Sequence, residues 1–260
     1  MRRHFTMPDL QSFSTVQVRV FADARVLARA LADVVVALVA EHPRAVLGLP
    51  TGRTPVLLYE ELVARAASGT LDLSRATTFN LDEFLGLSPG HPGGYRQFME
   101  HHLFGHLGER RPRVHFLDGT SRDAAAECVR YEAAIAEAGG IDLQILGLGT
   151  NGHIGFNEPG SDLEARTHRV ELRPETRRSN AALFGGDVDL VPREALSMGM
   201  ATILHSRRLV LIATGEWKAT CVRRMIEGPL TTMLPASFLQ LHPRVEVMLD
   251  EAAARDLGRS

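Results

Sequence analysis

The feature that most restricts the fold is an alternation. Short, near-continuous aliphatic runs recur along the chain, separated by amphipathic stretches of helix length. The runs are Val16 to Phe21, Ala45 to Leu49, Ala76 to Leu81, Val114 to Leu117, Ile141 to Leu148, Leu209 to Thr214 and Val245 to Leu249. A strand that reads as an unbroken apolar run is covered on both faces, which is the condition of a parallel sheet. The intervening segments Asp23 to Glu41, Val56 to Ala67, Gly94 to Leu107, Asp123 to Ala138, Arg193 to Leu204 and Trp217 to Ile226 carry the 3.6-residue period of helices. The expected fold is therefore α/β and doubly wound: a single, mostly parallel, Rossmann-like sheet with helices on both faces. No linker rich in Pro, Gly or Ser divides the 260 residues, so one domain over 1–260 is expected. The least periodic stretch runs from Gly152 to Asp189. It is long for a structureless connection, and a mobile lid around 160–190 is expected there.

Charge and composition remove several classes of function. The formal net charge is -2 and the basic residues are scattered, so the chain lacks the footprint of a nucleic-acid binder. Apolar runs such as that around Val34 to Val39 break well short of the ~20 residues needed to cross a bilayer. The start, Met1, Arg2, Arg3 and His4, leads into polar residues without the apolar core of a signal peptide, and a cytoplasmic protein with no membrane partner is expected. Cys128 and Cys221 stand far apart in apolar helical contexts and read as two reduced structural thiols.

In an open parallel sheet, ligands bind beyond the carboxyl ends of the strands, so four strand ends concentrate the chemistry. The first, Gly48 to Pro55, places the hydroxyls of Thr51 and Thr54, the backbone of Gly52 and the cation of Arg53 just before a helix. That combination suits a phosphate; a tight turn with a threonine cap is the plainer alternative. No Gly-Lys-Ser/Thr closes it, so it is not a Walker loop. The second ends in adjacent carboxylates, Asp82 and Glu83. Neighbours on an extended backbone point to opposite sides, so only one can face a given pocket. A single carboxylate in a dry cleft can act as a base at carbon, whereas a lone Asp is more simply a loop cap.

The third, Leu146 to Ser161, formally satisfies G-x-G-x-x-G through Gly147, Gly149 and Gly152. A dinucleotide fingerprint must open an amphipathic helix, and Pro159 with further glycines prevents one here. His153 with a nearby carboxylate, Glu158, is a plausible acid/base pair. No third ligand at a suitable spacing argues for a metal, and neither metal nor cofactor is expected. The fourth, Ala213 to Lys218, puts Lys218 in the first turn of a helix; it is an anion contact or an ordinary surface lysine.

Taken together and in this order, GLPTGRTP, TFNLDEFLGL, NGHIGFNEPGS and LQLHP stand almost as they do in one family. The sequence resembles the glucosamine-6-phosphate deaminases over nearly its whole length. The resemblance implies a cofactor-independent conversion of an aminosugar 6-phosphate and water to a ketose 6-phosphate and ammonia. By it, Asp82 corresponds to the base that moves a proton between C2 and C1. His153 corresponds to the residue that assists ring opening, and Glu158 to its partner. Thr51, Gly52, Thr54 and Lys218 match positions around the phosphate.

Three departures accompany the resemblance. Asn151 stands where many members carry Asp; an amide can orient a histidine but brings no charge. Leu183 stands where an arginine commonly reaches the phosphate, and Arg53, where Gly or Ser is frequent, is a candidate replacement from the opposite side. His168, Val170 and Glu171 occupy the region where allosterically activated members carry a basic cluster, so hyperbolic kinetics without an anionic activator are expected. A 6-phosphogluconolactonase-like hydrolase and a non-catalytic phosphosugar-sensing domain are the rival readings. The partner expected is a small sugar phosphate, with a homo-oligomer open.

Overall fold

The structure, a computed structural model, describes residues 16–88 and 90–258; the Met1 to His4 start lies outside the described residues. Among these residues seven strands form one parallel sheet: β1 (Gln17–Phe21), β2 (Val46–Leu49), β3 (Thr77–Asn80), β5 (Arg113–His115), β6 (Leu143–Gly147), β9 (Leu209–Ala213) and β10 (Val245–Asp250). Their order is β1-β10-β9-β6-β2-β3-β5. Alternate residues of the inner strands feed two cores. Leu47, Leu49, Ile145, Val210 and Ile212 pack against α1 (Ala24–Glu41), α2 (Val56–Ala67) and α3 (Tyr95–His102). Phe79, Leu146, Leu211 and Val247 pack on the other side, against α4 (Ala124–Glu137) and α7 (Ala219–Glu227). Each large aliphatic so buried contributes about 1.5–3 kcal/mol, and this two-sided burial is why the strands read as unbroken apolar runs.

The order reverses at β2, which pairs with β3 on one side and β6 on the other. Such a reversal splays the connections apart and opens a crevice at the strands' carboxyl ends. Chain geometry thus aims the loops after β2 and β6 at one place.

A second, antiparallel sheet sits beside the crevice, in the order β4 (Asp82–Phe84), β8 (Glu194–Ser197), β7 (His168–Glu171). It corrects one expectation directly. The stretch from Arg193 to Leu204 reads as a helix, but Glu194–Ser197 is a strand and only α6 (Met200–Leu204) is helical. Pairing of Ser197 with Asp82 and His168 on its two flanks overrides the helical propensity of Ala195, Leu196 and Met198. Gly199 separates the two elements, where a Cβ would fall 2.2 Å from the Arg166 carbonyl oxygen. The expected helix from Gly94 to Leu107 also stops early, at His102. The chain then tightens into 3-10 turns around Gly105, where a Cβ would meet the Glu100 carbonyl oxygen at 2.6 Å.

The aperiodic stretch is partly structured. It holds α5 (Pro174–Asn180) and two 3-10 turns, Ala181–Phe184 and Val188–Leu190. Phe184, Ala181 and Val191 join Phe84, Tyr95 and Phe156 in a third apolar cluster, which seats the segment on β4.

Candidate active site

A cavity of about 250 Å³ opens where the strand order reverses. The loop after β2 brings Thr51, Gly52, Arg53 and Thr54 to its wall, the turn after β9 brings Lys218, the start of β4 brings Asp82, and the loop after β6 brings Gly149 and His153. The four strand ends singled out in the sequence therefore meet at one rim.

The anion side is built from backbone and cations. Gly52 sits at φ +100°, a conformation that costs a glycine little, and α2 starts just beyond Pro55. First-turn amides of a helix lack intrahelical partners, which makes this end a natural place for a phosphate. Lys218 is 8% exposed and its Nζ donates to the Leu148 carbonyl oxygen. Burial depresses its ammonium to about 8; the Cys221 thiol opposes that depression and the Arg53 guanidinium adds to it. Ala182 and Leu183 line the opposite wall, so the segment expected to supply an arginine presents aliphatic carbon instead.

Asp82 is 6% exposed, and among the described residues none donates a hydrogen bond to its carboxylate. Burial, with the neighbouring Glu83 charge adding to it, pushes its pKa up to about 8. Its neighbour is treated differently. Glu83 points across β4, where Oε1 accepts from the amides of Phe84 and Tyr95 and Oε2 from that of Arg96, each at 2.9 Å. It caps α3, whose N-terminal Gly94 has no side chain to do so. The larger cavity on that side, about 740 Å³, is lined by Glu83 and holds neither Asp82 nor His153 nor Lys218.

The loop after β6 is shaped by two glycines. A Cβ on Gly149 would lie 2.4 Å from the His153 ring, and one on Gly152, at φ +90°, would lie 2.1 Å from Leu234. Only glycine lets the imidazole fold back over the loop. His153 Nδ1 stands 3.7 Å from Glu158 Oε2, longer than a hydrogen bond, and is buried without a hydrogen-bond partner. Glu158 is well supplied with donors: Asn151 Nδ2 reaches Oε2 at 2.9 Å and the Thr176 hydroxyl reaches Oε1. Burial alone would raise this carboxyl, but His153, Thr176 and Asn151 together hold it at about 2. Asn151 therefore acts on the carboxylate and, through Oδ1, on the His153 backbone amide at 3.2 Å, not on the imidazole.

Three residues at the cavity were not evident from sequence. Tyr95 and Asn180 line it and share a 2.9 Å hydrogen bond, and Thr176 stands behind Glu158. Pro174 at the first helical position announces α5, but nothing local signals what the helix would touch. Among the described residues no three His, Cys, Asp or Glu side chains gather as a metal ligand set, and no helix is long and apolar enough to cross a membrane.

Comparison with known proteins gives the geometry a context. Residues 22–248 match the profile of a family described as glucosamine-6-phosphate isomerases/6-phosphogluconolactonase. Glucosamine-6-phosphate deaminase 2 of Bacillus subtilis (strain 168) is 53% identical over 214 residues, covering 82% of this chain and 86% of the relative. A solved structure described as a monomeric glucosamine-6-phosphate deaminase superposes with a TM-score of 0.88 at 40% identity, covering 92% of this chain and 99% of the other. A 6-phosphogluconolactonase from Trypanosoma cruzi superposes with a TM-score of 0.72 at 20% identity, over 93% and 97% of the two chains; that likeness concerns the fold alone.

Proposed function

The chain belongs to the glucosamine-6-phosphate isomerase/6-phosphogluconolactonase family, and from that premise we infer that it converts glucosamine 6-phosphate and water to fructose 6-phosphate and ammonia. The observation that carries the reading is a single cavity holding a buried, donor-free carboxylate, an imidazole and an anion cradle. A lactone hydrolysis has no carbon-bound proton to move, whereas the aldose-ketose conversion needs a base that takes one from C2.

Thr51, Gly52, Thr54 and Lys218 hold the 6-phosphate, with Arg53 at the solvent edge. His153 moves the proton that opens the pyranose ring, and Glu158 and Asn151 hold it in place. Asp82, once ionised, takes the proton from C2 of the open aldehyde, leaving an enolamine. Returning that proton to C1 turns the enolamine into a ketimine at C2; water adds there, and ammonia leaves as the ketose forms. Proton transfer by a positioned side chain typically contributes about 10²–10⁴-fold to rate. A cytoplasmic setting suits a substrate whose phosphate is costly to bring into hydrocarbon.

The test is ammonia release from a panel of 2-amino-2-deoxyhexose 6-phosphates, with ketose 6-phosphate measured in parallel and 6-phosphogluconolactone hydrolysis run beside it. Stoichiometric ammonia and fructose 6-phosphate from the glucosamine compound are expected. Lactone hydrolysis without ammonia release would overturn the reading in favour of the hydrolase.

A further inference from the structure

We propose that Thr176 is a positioning residue of this reaction: through its hydroxyl, the helix that walls the substrate cavity fixes Glu158 beside His153. The proposal rests on the deaminase reading above. Glu158 has one protein donor on each carboxylate oxygen, and the two come from different segments. Asn151, on the glycine-rich loop, serves Oε2; Thr176, on α5, serves Oε1. The carboxylate is thus strung between the loop that carries the imidazole and a helix nearly twenty residues further along the chain.

The rest of α5 shows that this contact is built in. Thr176 is fully buried, and its carbonyl accepts from Ser179 Oγ at 2.8 Å and Asn180 Nδ2 at 2.9 Å. Just before the helix, Arg173 Nη2 donates to the Pro159 carbonyl oxygen, tying α5 to the residue after Glu158. At its far end, Asn180 Oδ1 accepts from the Tyr95 hydroxyl, and Ser179, Asn180, Ala182 and Leu183 wall the cavity. One helix therefore touches the space the sugar occupies and the carboxylate that orients the imidazole. Without the hydroxyl, Oε1 loses its donor, and Glu158 is no longer held within 3.7 Å of His153 Nδ1.

A double-mutant cycle separates this role from a structural one. Thr176→Val is expected to lower kcat for ammonia release by about tenfold while KM stays within about threefold, and Thr176→Ser to keep most of kcat. In a Glu158→Gln background, Thr176→Val should cost no further activity beyond about twofold, because the group it acts through is gone. Equal losses in both backgrounds, or a serine variant as poor as valine, would overturn the proposal. If the valine variant does not fold, Thr176→Ala is read in the same cycle. The ¹⁵N shifts of the His153 ring in substrate-free protein report the coupling without turnover. They should move in Thr176→Val and not in Thr176→Ser; unmoved shifts overturn the proposal, whereas a wild-type protein that releases no ammonia overturns only the deaminase reading.

Discussion

Asp82 lines the cavity and Glu158 stands outside that lining, beside His153, and the two part in behaviour: one is pushed up to about 8, the other held at about 2. Burial acts on both in the same direction. What differs is the company. The wall made by β4 leaves Asp82 without a donor and sets Glu83 beside it, while the loop after β6 and helix α5 surround Glu158 with an imidazole, an amide and a hydroxyl. Glu83, one residue away from Asp82, lies between the two: three backbone amides occupy its oxygens and oppose the shift, but burial outweighs them and leaves its pKa raised. A donor-free buried carboxylate is a proton acceptor in waiting; a donor-rich one is a fixed charge.

The sharpest break of that contrast is Asp82→Asn. It removes the carboxylate to which the proposed mechanism gives the C2 proton, and kcat should fall on the order of 10³-fold. The same change has a second, independent signature. The folded-state pKa of Asp82 lies above its ordinary value of 3.8, so its contribution to stability is greatest below about pH 4 and is lost as pH rises through about 8. The loss reaches on the order of 5 kcal/mol at alkaline pH. Thermal melts of wild type and Asp82→Asn from pH 4 to 9 should therefore diverge upward in pH, with the variant gaining; parallel curves would sink the assigned environment. In wild type, kcat/KM should climb toward about pH 8 as the free enzyme's Asp82 ionises and fall again above it as Lys218 gives up the proton that holds the phosphate, and a flat profile from pH 6 to 9 would be incompatible with both.

Lys218 is the cationic counterpart, buried with a single carbonyl acceptor. Lys218→Met should raise KM for the phosphosugar by about 10- to 100-fold, the equivalent of one charge-assisted contact, with the smaller change in kcat. An unchanged KM would remove Lys218 from the anion site.

Asn151→Asp tests the donor-rich wall. Changing the amide to a carboxylate removes the Nδ2 donor and puts a second negative group at 2.9 Å from Glu158 Oε2. Like charges at that range force one to protonate, so kcat should fall by about tenfold even though Asp is frequent at this position in the family that the sequence resembles. An equal or faster variant would mean that Glu158 does not depend on the amide.

How much of this was readable in advance follows the same division between local and non-local causes. The inner parallel strands are legible because covering both faces writes an apolar run into them, as in Leu209–Ala213, whereas the edge strands β1 and β5 are exposed or half-buried and carry charged residues. The site residues at strand ends are legible because the sheet's topology says where to look. β4, β7 and β8 are not: three or four residues such as Asp82–Phe84 carry no period, and Glu194–Ser197 prefers helix until its partners are present. The opposite facing of Asp82 and Glu83 follows from strand geometry alone, but Glu83's job as the cap of α3 depends on where Tyr95 and Arg96 come to lie. Thr176 and Asn180 belong to the same class, since their roles exist only in contacts with residues distant in sequence.

Arg53 marks the limit at which the rule has nothing to act on. It lines the same cavity as Lys218, yet its side chain lies in solvent. A charge that keeps its water contributes ~0–1 kcal/mol to an ion pair, and salt at physiological strength screens it over about 8 Å. Arg53→Ser should therefore raise KM by no more than about fivefold at low ionic strength, and the difference from wild type should fade as salt is added. Lys218→Met should keep its deficit under the same titration, because a buried contact is screened far less. If the Arg53 effect is instead large and indifferent to salt, the guanidinium folds over the phosphate when substrate is bound and takes the place that Leu183 leaves without a charge.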